Sequence, residues 1–297
     1  MKSVWINHSG STFIEVGWKL ECSDRIGLVQ GYRVYYCPII SPYNLTCREP
    51  EKNTTFDSGK IHGRIVNLKP YTTYMVAVSV LTKSGEGLQS DPLYNTTFEG
   101  APDTPPTNLT ITEITNTTMK VSWVPPASMN GVLRYFKVFY NDEILKVENG
   151  ESHVTLTNLK SFTNYNVSVE ACTVSCSMKS APVNVVTKVG IPGTMERPSV
   201  NFINSSQVMV SWQPPKDAAG ITSYYELKVG TREGRNPSAN PYYKKSEGLS
   251  ASISVPDCQT EGIQISTFAV RAVNIAPGNN VFRGNWSEIG EANCFNT

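Results

Sequence analysis

Seven cysteines, nine Asn-x-Ser/Thr acceptors and three histidines carry most of the side-chain chemistry this chain can offer. The thiols are Cys22, Cys37, Cys47, Cys172, Cys176, Cys258 and Cys294. Cysteines in close sets form disulfides in an oxidising compartment, or hold a metal where four ligands converge. Cys172 and Cys176 have no third or fourth ligand nearby in the sequence, so disulfide chemistry is the better reading. Seven is odd, so one thiol is free or pairs outside this chain. The acceptors are Asn7, Asn44, Asn53, Asn95, Asn108, Asn116, Asn166, Asn204 and Asn285, where an exported protein can carry N-linked glycans. Both signals point outside the cell. His8, His62 and His153 are too far apart to converge without a sharp fold-back. No Gly-x-Ser-x-Gly, His-Glu-x-x-His or Walker-type loop occurs, so the chain reads as non-enzymatic, with no cofactor and no metal.

The elements that must position these groups repeat. Val-x-Trp ends at Trp18, Trp123 and Trp212, and a turn glycine with a following aromatic comes next: Gly31-Tyr32, Gly131 to Phe136, Gly220 to Tyr225. An alternating run then opens at Tyr74, Tyr165 and Phe268. A period near a hundred residues is a domain, not a solenoid unit. Gly100 to Pro106 and Gly190 to Pro198 read as proline-stiffened linkers. The expected domains are 1–100, 101–189 and 190–297, with limited bending at two junctions. In the second copy Leu109 and Ile111, then Met119, Val121 and Trp123, then Phe136, Val138 and Tyr140 alternate with polar residues. Val154, Leu156, Tyr165, Val167, Val169, Val183 and Val185 continue the pattern. This is period-two patterning with no helical stretch, an all-β chain of antiparallel sandwiches. Net charge is +1, which gives no basic stripe for nucleic acid. No run of eighteen apolar residues spans a membrane, and no signal peptide is visible before the first strand. The sequence reads as a piece of an ectodomain whose signal and anchor lie elsewhere.

The second-strand tryptophans, the third-strand Tyr32-Arg33-Val34-Tyr35-Tyr36 and the corner Leu68-Lys69-Pro70-Tyr71-Thr72-Thr73-Tyr74 resemble fibronectin type III domains. Leu159 to Tyr165 repeats the corner. The resemblance covers essentially the whole chain and implies three tandem, seven-stranded, immunoglobulin-like sandwiches. Copy three departs from it: Phe268 stands where the corner tyrosine should be, so the corner hydrogen bond cannot form. Tryptophan to corner aromatic is 56, 42 and 56 residues, so copy one carries extra residues around Cys37 to Asp57, and copy three shares its own between Gly230 to Gly248 and the stretch after Cys258. The fold implied by the resemblance places loops at two opposite ends of each domain, and disulfide partners must share an end. It implies Cys172–Cys176, Cys258–Cys294 and Cys37–Cys47, leaving Cys22 either free or bridged to another molecule. Such arrays resemble cell-surface receptor ectodomains, among them cytokine receptors of the insect Domeless type. Receptor tyrosine phosphatases and kinases carry similar ones.

Function is therefore expected to be recognition of a protein ligand or co-receptor by a glycosylated receptor segment; adhesion or a matrix role is the rival. Residues 274–286 read as a long loop with Val281, Phe282 and Arg283 near its tip, a hot-spot combination. Phe282 either anchors a partner or folds back on its own domain. Trp5 points outward between Val4 and Ile6, towards a preceding domain or local packing. Tyr242-Tyr243-Lys244-Lys245 reads as an edge-strand extension or a binding surface. Gly284-Asn285-Trp286-Ser287-Glu288 resembles half of the Trp-Ser-x-Trp-Ser signature of class I cytokine receptors; Ile289-Gly290 replaces the second half.

Overall fold

A computed structural model describes residues 3–20, 27–148, 150–233, 236–237, 240–256 and 264–292. The chain divides into two compact units, 1–109 with 122–152 and 167–182, and 110–121 with 153–166 and 183–297. The middle repeat thus supplies segments to both. Every element among the described residues is a strand.

In the first repeat, β1 (Ser3–Ser9) and β2 (Ile14–Lys19) pair antiparallel, and the chain then crosses into a second sheet. That sheet holds β3 (Val29–Ser41), β4 (Asn44–Cys47) and β5 (Lys52–Asp57). β6 (His62–Ile65) returns to flank β2, while β7 (Thr73–Thr82), β8 (Gly85–Glu86) and β9 (Leu93–Thr96) complete the larger sheet around β3. The extra residues of this copy are a hairpin: β3 runs on to Ser41 and β4 turns back along it. The middle repeat is leaner. Its sheets are β10 (Thr107–Thr112), β11 (Met119–Val124) and β14 (His153–Leu156), and β12 (Tyr135–Tyr140), β13 (Glu143–Val147), β15 (Asn164–Cys172) and β16 (Val183–Val186). The third segment has a sheet of β17 (Ser199–Asn204), β18 (Gln207–Ser211) and β22 (Ser250–Ser254). Its larger sheet holds β19 (Thr222–Glu233), β20 (Asn236–Pro237), β21 (Tyr242–Ser246), β23 (Gln264–Ala276), β24 (Asn280–Arg283) and β25 (Gly290–Ala292).

Alternation explains these sheets. Val16 and Trp18 are buried on β2 and Val34 on β3, and they pack with Tyr74, Val76 and Val78 of β7. Val208, Val210, Leu227, Val229, Phe268 and Val270 form the corresponding core of the third repeat. The tryptophan packs at a tilt or edge-on against a third-strand aromatic in every copy: Trp18 against Tyr32 at 5.1 Å, Trp123 against Phe136 at 5.2 Å and Trp212 against Tyr225 at 5.8 Å.

The corner tyrosine recurs with the same bond in two copies. The Lys69 N–H donates to the Tyr74 hydroxyl at 2.9 Å, and the Lys160 N–H to that of Tyr165 at 2.9 Å. A threonine bolts each corner to the last strand: Thr97 Oγ1 donates to the Lys69 carbonyl at 2.7 Å and Thr187 Oγ1 to that of Lys160 at 2.6 Å. A serine recurs three times. Ser90, Ser180 and Ser287 accept from the N–H of Val78, Val169 and Val270 at 3.0–3.1 Å. Phe268 is wholly buried and lacks the hydroxyl.

Tyr74→Phe and Tyr165→Phe each strand a backbone N–H with no change of shape. Each should destabilise its corner by about 1–2 kcal/mol, seen as a lower denaturant midpoint at unchanged slope.

Candidate recognition surfaces

The structure joins Cys37 to Cys47, with Cα atoms 5.6 Å apart, across the β3–β4 hairpin. At the tip of that hairpin Tyr43 is 99% exposed. Cys172 is joined to Cys176, Cα atoms 4.0 Å apart. The Glu170 carboxylate lies within 4.8 Å of both sulfurs, but these are bonded to each other and leave no thiolate for a metal. Cys22, Cys258 and Cys294 lie outside the described residues.

The nine acceptor asparagines occupy different settings. Asn44 and Asn204 are strand-end residues flanking tight turns, where Asn44 Oδ1 accepts from the Thr46 hydroxyl at 2.7 Å and Asn204 Oδ1 from the Ser206 N–H at 3.0 Å. Asn7 donates its amide to Glu15, Asn95 to Ser9 and Asn166 to Asn184. Asn53, Asn108 and Asn285 are exposed, and Asn116 is half-buried. His8, His62 and His153 are each exposed on their own strands.

Both linkers are clamped by the same device. At the first, the Gly100 N–H donates to the Asn130 carbonyl at 2.8 Å, and the Gly100 carbonyl accepts from Thr173 Oγ1 at 2.5 Å. Glu99 pairs with Arg134 at 2.8 Å. At the second, the Gly190 N–H donates to the Ala219 carbonyl at 2.8 Å, and the Gly190 carbonyl accepts from Asn274 Nδ2 at 3.2 Å. Asn274 is wholly buried and also donates to the Ala218 carbonyl at 2.7 Å. Asn130 and Ala219 both take a left-handed backbone, φ 54° and 50°. A side chain at either linker glycine would crowd its neighbours: a Cβ on Gly190 would lie 2.3 Å from Ser161 Oγ, and one on Gly100 3.0 Å from Pro70. Gly131 and Gly220 were legible as repeated residues; Thr173 and Asn274 were not, because two different side chains fill one role.

Trp5 is 43% exposed, and its indole lies across the neighbouring strand on Gly17, where a Cβ would come within 2.4 Å of the ring. Phe282 and Arg283 are not at a loop tip. The stretch read as a long loop is a hairpin in which Phe282 opposes Asn274 and Arg283 opposes Val273. Turn-forming Pro277, Gly278 and Asn279 disguised the alternation that follows them. Phe282 is half-buried and lines a cleft of about 620 Å³ with Phe162, Val186, Val189 and Pro277. Arg283 is not a free guanidinium: it pairs with Glu226 at 3.3 Å, and Arg271 pairs with the same carboxylate at 2.6 Å. Burial acts to raise the Glu226 carboxyl, but the two guanidiniums outweigh it and hold it below its ordinary value. The Arg271 guanidinium lies 4.2 Å over the Trp286 ring, which in turn meets Tyr243 at 5.8 Å. Tyr242 to Lys245 lie on β21, paired to β19.

The model of the fibronectin type III domain matches residues 3–96 and 104–186. The chain belongs to the fibronectin type III family. It is 28% identical over 290 residues to a cytokine receptor of Drosophila melanogaster, covering 91% of this chain and 21% of that protein. It is 29% identical to the cell adhesion molecule Dscam1 of Drosophila melanogaster, covering 82% of the chain and 13% of the relative. Phosphatidylinositol phosphatase PTPRQ of Rattus norvegicus matches at 29% over 70% of the chain and 9% of its own length. That phosphatase matches through fibronectin type III regions, not through a catalytic domain. The chain thus spans a small part of each relative. A crystal structure of the chicken CNTN1 FN1–FN3 domains aligns over 98% of this chain and 97% of its own, at 15% identity and a TM-score of 0.46.

Thr173→Val and Asn274→Leu remove the donors to the linker carbonyls. Each should lower stability by about 1–3 kcal/mol and speed proteolysis at Gly100 or Gly190 respectively. Limited digestion followed by mass analysis checks both. The depressed Glu226 pKa means its stabilisation is complete above the unfolded carboxyl value of about 4.3 and is lost as pH falls through the lower folded value. Glu226→Gln should therefore flatten the acid limb of the stability curve and cost about 2 kcal/mol at neutral pH. Urea midpoints taken across the acid range test this.

Proposed function

We propose that the chain is the extracellular segment of a single-pass cell-surface signalling receptor, built of repeats at 1–100, 101–189 and 190–297. It holds ligand-binding or dimerising parts in position and recognises a protein ligand or co-receptor. The observation that carries this is the repeated linker clamp. A tether needs no side-chain donor aimed at its backbone; a spacer that must hold successive domains at set angles does. The match to a cytokine receptor over 91% of the chain supports the receptor reading, and the disulfides and the glycan acceptors support an extracellular setting.

Phe282, Arg283 and Trp5 are the proposed partner contacts. Phe282→Ala should weaken partner binding by about 1–3 kcal/mol as an interface anchor, with only a modest fall in melting temperature from its half-buried ring. Binding that survives both Phe282→Ala and Arg283→Ala in folded protein removes this hairpin from the interface and leaves the third repeat as a spacer. Adhesion is the second reading, favoured by the Dscam1 match over 82% of the chain. Beads coated with the chain separate the two: a receptor segment leaves them dispersed, and homophilic adhesion clumps them.

A further inference from the structure

The outward face of the larger sheet in the third repeat is a lattice of cations and aromatics. β21 contributes Tyr243 and Lys245, β19 contributes Tyr224, Glu226 and Lys228, and β23 contributes Arg271, in a register that sets Lys228 opposite Tyr243 and Glu226 opposite both Lys245 and Arg271. Arg283 joins from β24. Lys245 Nζ sits 4.7 Å over the Tyr224 ring, as Arg271 sits over Trp286. Four cations face one carboxylate, Glu226. Cation–π contacts hold the side chains in place without cancelling their charge.

Beside this lattice lies a trough of about 410 Å³, lined by Lys228, Thr231, Pro241, Thr267, Trp286 and Ile289 among others. Among the described residues no acidic side chain lines it. Glu291, opposite Thr267 across β25, is taken up by Arg232 at 2.8 Å. Gly230 keeps the floor bare: a Cβ there would stand 3.1 Å from Thr267 Oγ1 and 3.9 Å from Pro241 Cβ. The lining thus presents one ammonium, the Thr267 hydroxyl on the same face as Lys228 and Gly230, an indole and an apolar wall; the Ser287 hydroxyl is taken up by the Val270 N–H and the Glu288 carbonyl. An indole takes the C–H face of a pyranose, hydroxyls bond ring oxygens, and an ammonium takes a sulfate. The trough is partly open, and the Lys228 ammonium at its edge with the cations beside it favours an anionic ligand over the apolar side chain of a protein hot spot.

We propose that this trough and the cationic lattice beside it bind a sulfated polysaccharide, with Lys228 on a sulfate and Trp286 under the sugar ring. The site goes beyond the protein-recognition reading and stands on residues other than Phe282. It gives the chain a way to concentrate on a sulfated cell surface or matrix.

The test is titration of the purified chain with a heparin oligosaccharide, with the desulfated oligosaccharide and with polyglutamate. Binding is expected for the sulfated sugar alone. Lys228→Ala should weaken it about tenfold, the worth of one charge-assisted contact. Gly230→Leu should weaken it about as much by filling the trough at unchanged charge. Lys137→Ala, on the middle repeat, should leave it unchanged. Circular dichroism verifies the fold of each variant, and Thr267→Val, opposite Gly230 on the same face, replaces Gly230→Leu if that protein misfolds. Equal binding of the desulfated sugar overturns the proposal, as does indifference to both trough variants. Equal loss with Lys137→Ala would mean diffuse electrostatics and also overturns it. Binding of polyglutamate to the same trough would instead make it a seat for an acidic protein. None of these outcomes bears on the bead test of the receptor reading.

Discussion

One contact organises each repeat: the indole of the second strand against an aromatic of the third. Trp18, Trp123 and Trp212 are at most 4% exposed and bring the largest apolar surfaces to the core. A slip of one residue would turn each indole to solvent, so the contact fixes register as well as stability. The first repeat shows how far this reaches. Trp18 also meets Phe56 at 5.6 Å, and Phe56 lies where Gly63 has no side chain, within 2.4 Å of where its Cβ would stand. Gly17, next to the tryptophan, is bare for the same kind of reason: the Trp5 indole covers it. Two glycines that look like weak points in strands are places where an aromatic lies over the bare backbone, Trp5 from the neighbouring strand and Phe56 from the opposite sheet.

The sandwich fold was legible because its signals are local. Alternation, the tryptophan and the corner motif each occupy a few consecutive residues, and steric alternation on a pleated strand converts them directly into inside and outside. What was not legible depends on partners distant in the chain. Arg283 looked like a spare guanidinium, yet the carboxylate that claims it is Glu226, 57 residues earlier. Trp5 was rightly placed outward by alternation, but alternation says nothing about the glycine across the strand. The stretch after Asn274 read as a loop because Pro277, Gly278, Asn279 and Asn280 are turn formers. Its strand is carried by only four residues, Asn280–Arg283, and is stabilised by pairing to β23 rather than by propensity.

The joints follow from a backbone requirement. A linker passing between two sandwiches carries N–H and carbonyl groups that must find partners once water is excluded. Here a loop carbonyl meets the glycine N–H and a side chain meets the glycine carbonyl, at both linkers. The need for a left-handed residue at Asn130 and Ala219 follows, because only that turn aims the carbonyl at the linker. Asparagine adopts it readily; alanine does not, so Ala219 stores strain that the buried Asn274 network must hold.

The two donors also explain why the repeats differ around them. Thr173 stands in a short turn that would fray if left to itself. The Cys172–Cys176 bridge closes a loop too small to gain much from chain entropy, on the order of 2 kcal/mol or less. Its effect is positional: it keeps the Thr173 hydroxyl at the Gly100 carbonyl. Asn274 has no such bridge beside it. It lies inside β23, in register with Thr222 on one side and Phe282 on the other. Two paired strands restrain it as the disulfide restrains Thr173. The long hairpin of the third repeat and the disulfide of the second are thus two answers to one demand, a donor held still at a linker carbonyl. The longer answer also creates new surface, because extending the hairpin carries Arg283 to Glu226 and Phe282 to the cleft.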